Sequence, residues 1–310
     1  MSFRGPQNNK NMNGFQGNQN GRMGAQSGAF GFDKQANSTL SQLDKMIDFW
    51  LKKIENLIDH PSFVPLKPYI PSIARFFIVA TFYEDSFRIL TQWSDQVFYL
   101  HKWKHFPYLF VVLFLVLVSM AMLGGATLLM ARKHTMYATG GLCCCIIAQS
   151  LVYGVFTGSS FILRNFSVIG GLLISFSDSI VKNKVTFQML PELNNKDEKN
   201  KGYLLLAGRM LIVMMFIGFT LSKSWFTVLL TITFTIFFAV GYNTKFASIM
   251  LILILAFYNI TVHNYWFHDP SRRDFLKYEF YQNLSIIGGL LLVTNTGAGD
   301  ISIDSKKKIY

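Results

Sequence analysis

Three ionisable residues interrupt an apolar stretch of this chain: Glu84, Asp85 and Arg88 in "IARFFIVATFYEDSFRIL". Charged groups inside such a segment are costly unless they pair or face a cavity. Glu84 and Arg88 stand four residues apart, so one helical face can carry both. The chemistry open to them is charge pairing and ligand capture, for example a carboxylate holding an ammonium group. An intrahelical pair that only stabilises its bundle is an equal reading. Tyr258, Asn259, His263 and Asn264 form a second polar group at the end of a later apolar run. The candidate binding set is therefore Glu84, Asp85, Arg88, Tyr258, His263 and Asn264.

Catalytic and metal chemistry find little support. The three cysteines are consecutive, Cys143, Cys144 and Cys145, inside an apolar run. Neighbouring cysteines in a helix cannot reach normal disulfide geometry with each other, so they read as packing residues. No metal-ligand set accompanies them. The six histidines show no paired arrangement within apolar runs. No enzyme activity, cofactor or metal is expected.

A third group lies at the C-terminus, "KKKIY". Lys307 and Lys308 occupy positions −4 and −3 from the free carboxylate. That is the spacing of the dilysine signal by which the COPI coat returns proteins from Golgi to ER. Such a signal needs a cytosolic, exposed tail, and "GAGDISIDS" before it reads as a flexible one. The competing reading is a polybasic membrane anchor, against which Asp300 and Asp304 argue.

The elements that must position these groups follow from composition. Of 310 residues, 51% are hydrophobic and only 15% are charged, well under the share in ordinary soluble domains. The net charge of +12 comes without a nucleic-acid-binding module, so nucleic acid is not an expected partner. Residues 1–36 are rich in Asn, Gln and Gly and read as a disordered tail. Residues 38–59 place Leu43, Met46, Ile47, Trp50, Ile54 and Leu57 at helical spacing, which predicts an amphipathic interfacial helix. Four prolines between 61 and 71 then enforce an extended connector.

Eight apolar blocks follow, near 71–90, 107–130, 136–157, 164–181, 203–222, 225–241, 246–264 and 281–296. Hydropathy alone accepts between five and eight spans, because several are short or interrupted. An internal repeat decides the expectation. "NFSVIGGLLI" at 165–174 returns as "NLSIIGGLLL" at 283–292, with seven of ten positions identical. Arg75, Ile78, Val79 and Phe82 recur as Arg209, Ile212, Val213 and Phe216. The expected fold is thus an all-α polytopic membrane protein of about eight transmembrane helices. They form two parallel four-helix repeats, 71–182 and 203–296, joined by a cytosolic linker, 183–202. Residues 37–70 hold the interfacial helix and connector, and 297–310 the C-terminal tail. Gly170, Gly171, Gly288 and Gly289 are expected to allow close helix packing. Most of the 29 Lys and Arg residues fall on the side that carries both termini, which predicts cytosolic termini. Arg75 and Arg209 would snorkel from their spans toward headgroups. The segments 84–106 and 265–280 would lie on the lumenal side, with the Glu84 trio opening a vestibule between the halves opposite Tyr258, His263 and Asn264.

The stretches "SRRDFLKYEFYQNLSIIGGLLLV", "RNFSVIGGLLI" and "EDSFRILTQW", with the terminal Lys-Lys-x-x, resemble the surfeit locus protein four family over about residues 38–310. More distantly, each half resembles DoxX-like four-helix membrane proteins. The first resemblance implies an ER-to-Golgi cargo receptor of the ER-derived-vesicle type. Such a receptor would bind soluble secretory proteins carrying short hydrophobic sorting segments, enter COPII vesicles and return through COPI. ER and early Golgi membrane lipids would surround it, and a homo-oligomer is compatible with the sequence. The alternative functions are a lipid or solute transporter, including a scramblase, and a redox subunit. Parallel repeats permit the former, while the latter lacks a histidine pair.

Overall fold

The computed structural model describes residues 68–154, 159–184, 191–220, 225–299 and 301–307, with scattered positions between 42 and 53. The expected disordered tail, the proline connector up to Lys67 and the last three residues lie outside these; the connector's last residues are not extended, since Pro68 and Tyr69 form a 3-10 turn and a helix follows from Ile70. The chain divides into a unit ending at Ile54 and a unit beginning at Glu55. In the first, the described positions from Gln42 to Lys53 are helical, and Met46, Phe49 and Trp50 are exposed.

Among the described residues of the second unit, each apolar block carries a helix. The eight long ones are α1 (Ile70–Thr91), α2 (Tyr108–Met130), α3 (Thr135–Tyr153), α4 (Ser159–Lys184), α5 (Pro191–Thr220), α6 (Trp225–Val240), α7 (Thr244–Thr261) and α8 (Pro270–Thr296). No strand occurs among the described residues. Short helices Trp93–Phe98 and Ile303–Lys307, a π-helix Tyr99–Trp103 and a 3-10 turn Tyr265–Phe267 complete the unit.

Among the described residues, five segments are long and apolar enough to cross a membrane: 108–130, 135–153, 161–180, 200–219 and 244–267. Helix α2, at 1.5 Å per residue, is about 34 Å long, slightly more than a hydrocarbon core of roughly 30 Å. Its Leu109, Leu113, Leu117 and Met120 point outward and are more than half exposed, a surface suited to lipid. Helix α6 is apolar but has 16 residues. Helices α1 and α8 carry the charges discussed below.

Two boundaries differ from expectation. Helix α8 begins at Pro270, ahead of the expected block 281–296, so most of the segment 265–280 is helical. Asp269 is extended (φ −60°, ψ 152°) and Pro270 opens the helix, where a missing N–H costs nothing and the fixed φ is already helical. Helix α5 likewise begins at Pro191, inside the expected linker.

Contacts between helices are densest between α4 and α5 and between α8 and α1, with α4 also crossing α8. Small residues set these distances. A Cβ on Gly170 would lie 2.7 Å from the Gly208 carbonyl oxygen of α5. One on Gly288 would lie 2.5 Å from the Ala74 oxygen of α1. At the crossing, one on Gly289 would lie 3.1 Å from Cα of Gly171.

Arg75 and Arg209 are both buried, at 1% and 0% exposure, so neither snorkels. Arg75 lies 3.6 Å from the Asp178 carboxylate of α4. Arg209 donates to the carbonyl of Ile301 at 2.8 Å. That bond belongs to a docked C-terminal segment. Asp304 donates its N–H to Gly241 and accepts from Asn243 and Thr244, while Ser302 is buried. The tail read as flexible is therefore held as far as residue 305. A buried guanidinium needs a carbonyl or carboxylate partner, and the tail supplies it. The side chain of Lys307 and all of Lys308 lie outside what the structure describes.

Candidate functional site

The polar residues concentrate where α1 and α3 end and α4 and α8 begin. A cavity of about 630 Å³ opens there, within the range of ligand sites. Asp85 and Arg88 from α1 lie on its wall, with Gln149 and Ser150 from α3, Asn165 from α4, and Tyr278 and Gln282 from α8. Its outer rim is aromatic: Tyr99 of the π-helix stacks on Tyr153 with centroids 6.0 Å apart, and Phe161 meets Phe275. π-turns interrupt helices most often at functional positions. This one brings Tyr99 over the cavity.

The charges are paired. Arg88 donates to Asp85 at 2.6 Å and lies 3.8 Å from Glu84. Its guanidinium also sits 5.7 Å from the centre of the Tyr278 ring. Glu84 is 4% exposed and, 3.5 Å from Lys277, is held between two cations. It does not line the cavity, whose carboxylates are Asp85, bonded to Arg88, and the exposed Asp274, with Lys104 on the same wall. Gln92 donates to Asp274 at 2.8 Å, tying the turn after α1 to the start of α8.

Tyr258, His263 and Asn264 do not join this group. His263 lies 3.0 Å from Glu279, whose other oxygen takes Arg164 at 2.8 Å. Asn259 accepts from Asn283, which in turn accepts from Arg164. Tyr258 packs edge-on against Phe219 instead. Asn264, beside the Tyr265–Phe267 turn, buries its side-chain oxygen. The split has a simple cause. Lys277 and Glu279 are two residues apart on α8 and so project to opposite sides. One reaches Glu84 of α1, the other His263 just beyond the end of α7. Because α8 extends back to Pro270, it stands between the two groups and no common vestibule forms.

Sequence reasoning passed over Gln282, Asn165, Asn283, Arg164 and Glu279. Gln282 donates to Asn165 at 3.0 Å, and Asn165 donates to Ser150 at 3.1 Å. Arg164 donates to Asn283 at 3.2 Å, and Asn283 donates to Asn259 at 3.1 Å. The signal was present: Asn165 and Asn283 head the two copies of the repeated motif, each preceded by a polar residue, Arg164 or Gln282.

An all-helical membrane protein with a polar, aromatic-rimmed cavity at one end of its bundle is the class these observations define. The chain matches the SURF4 family over residues 49–310, and it belongs to that family. It is 65% identical over 310 residues to "ER-derived vesicles protein ERV29" of Saccharomyces cerevisiae, covering 100% of both chains. It is 38% identical over 256 residues to "Surfeit locus protein 4 homolog" of Schizosaccharomyces pombe, covering 79% of this chain and 84% of that one. A "Surfeit locus protein 4 homolog" of Drosophila melanogaster is 35% identical over 251 residues, 78% of this chain and 91% of that one. No solved structure matches the chain.

Proposed function

We propose that this protein is a cargo receptor of the early secretory pathway. It resides in the ER membrane, takes soluble secretory proteins from the lumen into COPII vesicles, and returns from the early Golgi through COPI. Membership of the SURF4 family and likeness to an ER-derived vesicles protein support vesicle traffic from the ER. The observation that carries the receptor reading is the position of the cavity. It opens at the end of the bundle opposite the docked C-terminus, where a lumenal ligand would meet it when the termini are cytosolic.

In this reading the bundle is two parallel four-helix repeats making eight crossings. Matching contacts support it: Gly170 on Gly208 recurs as Gly288 on Ala74, and buried Arg75 recurs as buried Arg209. Asp85 and Arg88 contribute a neutral charged pair to the cargo site. Lys307 and Lys308 form the retrieval signal.

The experiment is photo-crosslinking in microsomes with a reactive residue at Tyr99 or Phe275, and at Tyr258 as control. Secretory cargo is expected to crosslink from the first two and not from the third. Cargo captured from none of them, with transport intact, removes the site. Protection of the last dozen residues from protease added outside sealed microsomes removes the topology and with it the receptor reading.

A further inference from the structure

The cavity is charged at its mouth and apolar at its inner end. Along α1 it runs from Arg88 inward to Phe82, along α3 from Gly154 to Ile146, and along α4 from Phe161 to Val168. At 1.5 Å per helical residue these runs are about 10 Å long. Phe82, Ile146 and Val168 line the inner end. Between the two ends the amides are bonded to one another: Gln282 donates to Asn165, and Asn165 to Ser150.

Of the charged residues that line the cavity, Asp85 and Arg88 are bonded to each other. Lys104 and Asp274 are not so paired. Among the described residues no carboxylate reaches Lys104, and Asp274 accepts from the neutral amide of Gln92. A Cβ on Gly154 would lie 2.6 Å from Lys104 Nζ. Gly154 is the left-handed C-cap of α3, φ 67°, so the ammonium stands at the negative end of that helix. The mouth thus presents one uncommitted cation and one uncommitted anion. Next to Asp274 is the ring of Phe275, 48% exposed and edge-on to Phe161. A ligand cation there gains a carboxylate and an aromatic face together.

The helix contacts supply a way in from the side. Helix α3 packs sparsely on α4, whereas their counterparts in the repeat, α7 and α8, pack closely. The hydrogen bond from Asn165 to Ser150 bridges α4 and α3 at this seam. Beside these two residues Ile147, Leu151 and Phe166 are exposed, an apolar border suited to lipid. In the eight-crossing reading the mouth lies near one membrane surface and the inner end points toward the bilayer middle. A phospholipid has the same order of parts, charged at the surface and apolar below.

We infer that the cavity is a binding site for a zwitterionic phospholipid, which enters from the bilayer between α3 and α4. Its phosphate meets Lys104, its ammonium meets Asp274 and the Phe275 ring, and one acyl chain lies against Phe82, Ile146 and Val168. An anionic headgroup would leave Asp274 opposed, and a soluble zwitterion would leave the apolar inner end unfilled. The inference goes beyond the receptor reading and does not depend on it, since it concerns what reaches the cavity from the bilayer and not what meets the rim from the lumen.

The test uses full-length protein in nanodiscs of mixed phosphatidylcholine and phosphatidylglycerol. A trace of either lipid carries a diazirine on its acyl chain, and crosslinked peptides are mapped by mass spectrometry. The phosphatidylcholine probe is expected to concentrate on residues 146–153 and 161–168, above its level on the outward face of α2. The phosphatidylglycerol probe is expected to reach those residues about fivefold less, the scale of one partly exposed charge contact. Lys104→Gln should lower capture of phosphatidylcholine by a similar factor. Asp274→Asn should lower it too and raise capture of phosphatidylglycerol, turning the preference toward anionic lipid. Val168→Trp, which fills the inner end, should remove the cavity crosslinks and keep those on α2. Variants are read only where thermal unfolding matches the wild type, and Ile146→Phe replaces Val168→Trp if the latter does not fold. Equal crosslinking of the cavity and α2, equal capture of the two probes by the wild type, or a preference unchanged in both charge variants overturns the inference. Displacement of the probe by chain-free glycerophosphocholine also overturns it, by assigning the site to a soluble zwitterion. Each of these results leaves cargo crosslinking from Tyr99, and with it the receptor reading, to stand or fall separately.

Discussion

Asp304 caps a helix whose first residue, Thr244, lies 60 positions earlier in the chain. One carboxylate oxygen accepts the Asn243 N–H at 2.7 Å. The other accepts the N–H and the hydroxyl of Thr244, at 2.8 and 2.7 Å. Asn243 is in the left-handed region, φ 42°, and makes no side-chain cap of its own. The exposed N–H groups and positive dipole end of α7 are thus met from the far end of the sequence.

Removing that carboxylate is expected to cost about 1–2 kcal/mol, the usual value of a lost cap. Asp304→Ala should lower the unfolding temperature in detergent. It should also make the chain after Gly299 more sensitive to trypsin, because the segment loses its anchor. Asp304→Asn should fall between the two, since an amide oxygen still accepts one bond. Wild-type protease resistance in Asp304→Ala would show that the Arg209–Ile301 bond suffices alone.

The glycine contacts make a graded prediction. A methyl group at Gly288 meets the backbone of α1, whereas nothing lies within 4 Å of one at Gly140. Backbone cannot yield as a flexible side chain does, so Gly288→Ala should destabilise by about 1–3 kcal/mol. Gly140→Ala should be neutral or slightly stabilising, by up to about 1 kcal/mol, as expected for Gly to Ala in a helix. Thermal unfolding of the two variants side by side decides it.

Arg75 and Asp178 should show coupling. Breaking a buried ion pair by removing one partner costs about 3–5 kcal/mol. Arg75→Met and Asp178→Leu are each expected to reduce stability by that order, and the double variant to recover much of the loss. Additive losses in the cycle would mean the 3.6 Å approach carries no energy.

The cysteines test how α3 is rotated. Cys144 is exposed and Cys145 is buried, as adjacent positions on a helix face different ways. A lipid-soluble maleimide should label the native protein through Cys144. Cys144→Ser should remove most labelling, and Cys145→Ser should leave it nearly unchanged. Equal loss in both would place α3 in a different rotation.

The sequence by itself determined that the described residues from Ile70 onward are mostly helical and roughly where the eight long helices lie, apart from the starts of α5 and α8. Apolar runs of helical length leave little choice, because a backbone surrounded by lipid must satisfy its own hydrogen bonds. It also determined the local pairs. Arg88 can reach Glu84 and Asp85 from the same helix, and it does. The repeated motif marked Gly170, Gly171, Gly288 and Gly289, all of which stand at close helix contacts. What only tertiary structure decided was which helix meets which, and hence the site. Glu84 finds Lys277, and His263 finds Glu279, because α8 continues to Pro270 and passes between them. Its charged first turns resemble a loop when hydropathy alone is read. The docking of residues 301–305 on Arg209 and α7 joins positions 60 and 92 residues apart. Local spacing carries no record of such encounters, since they depend on packing distances between helices that the chain brings together only on folding.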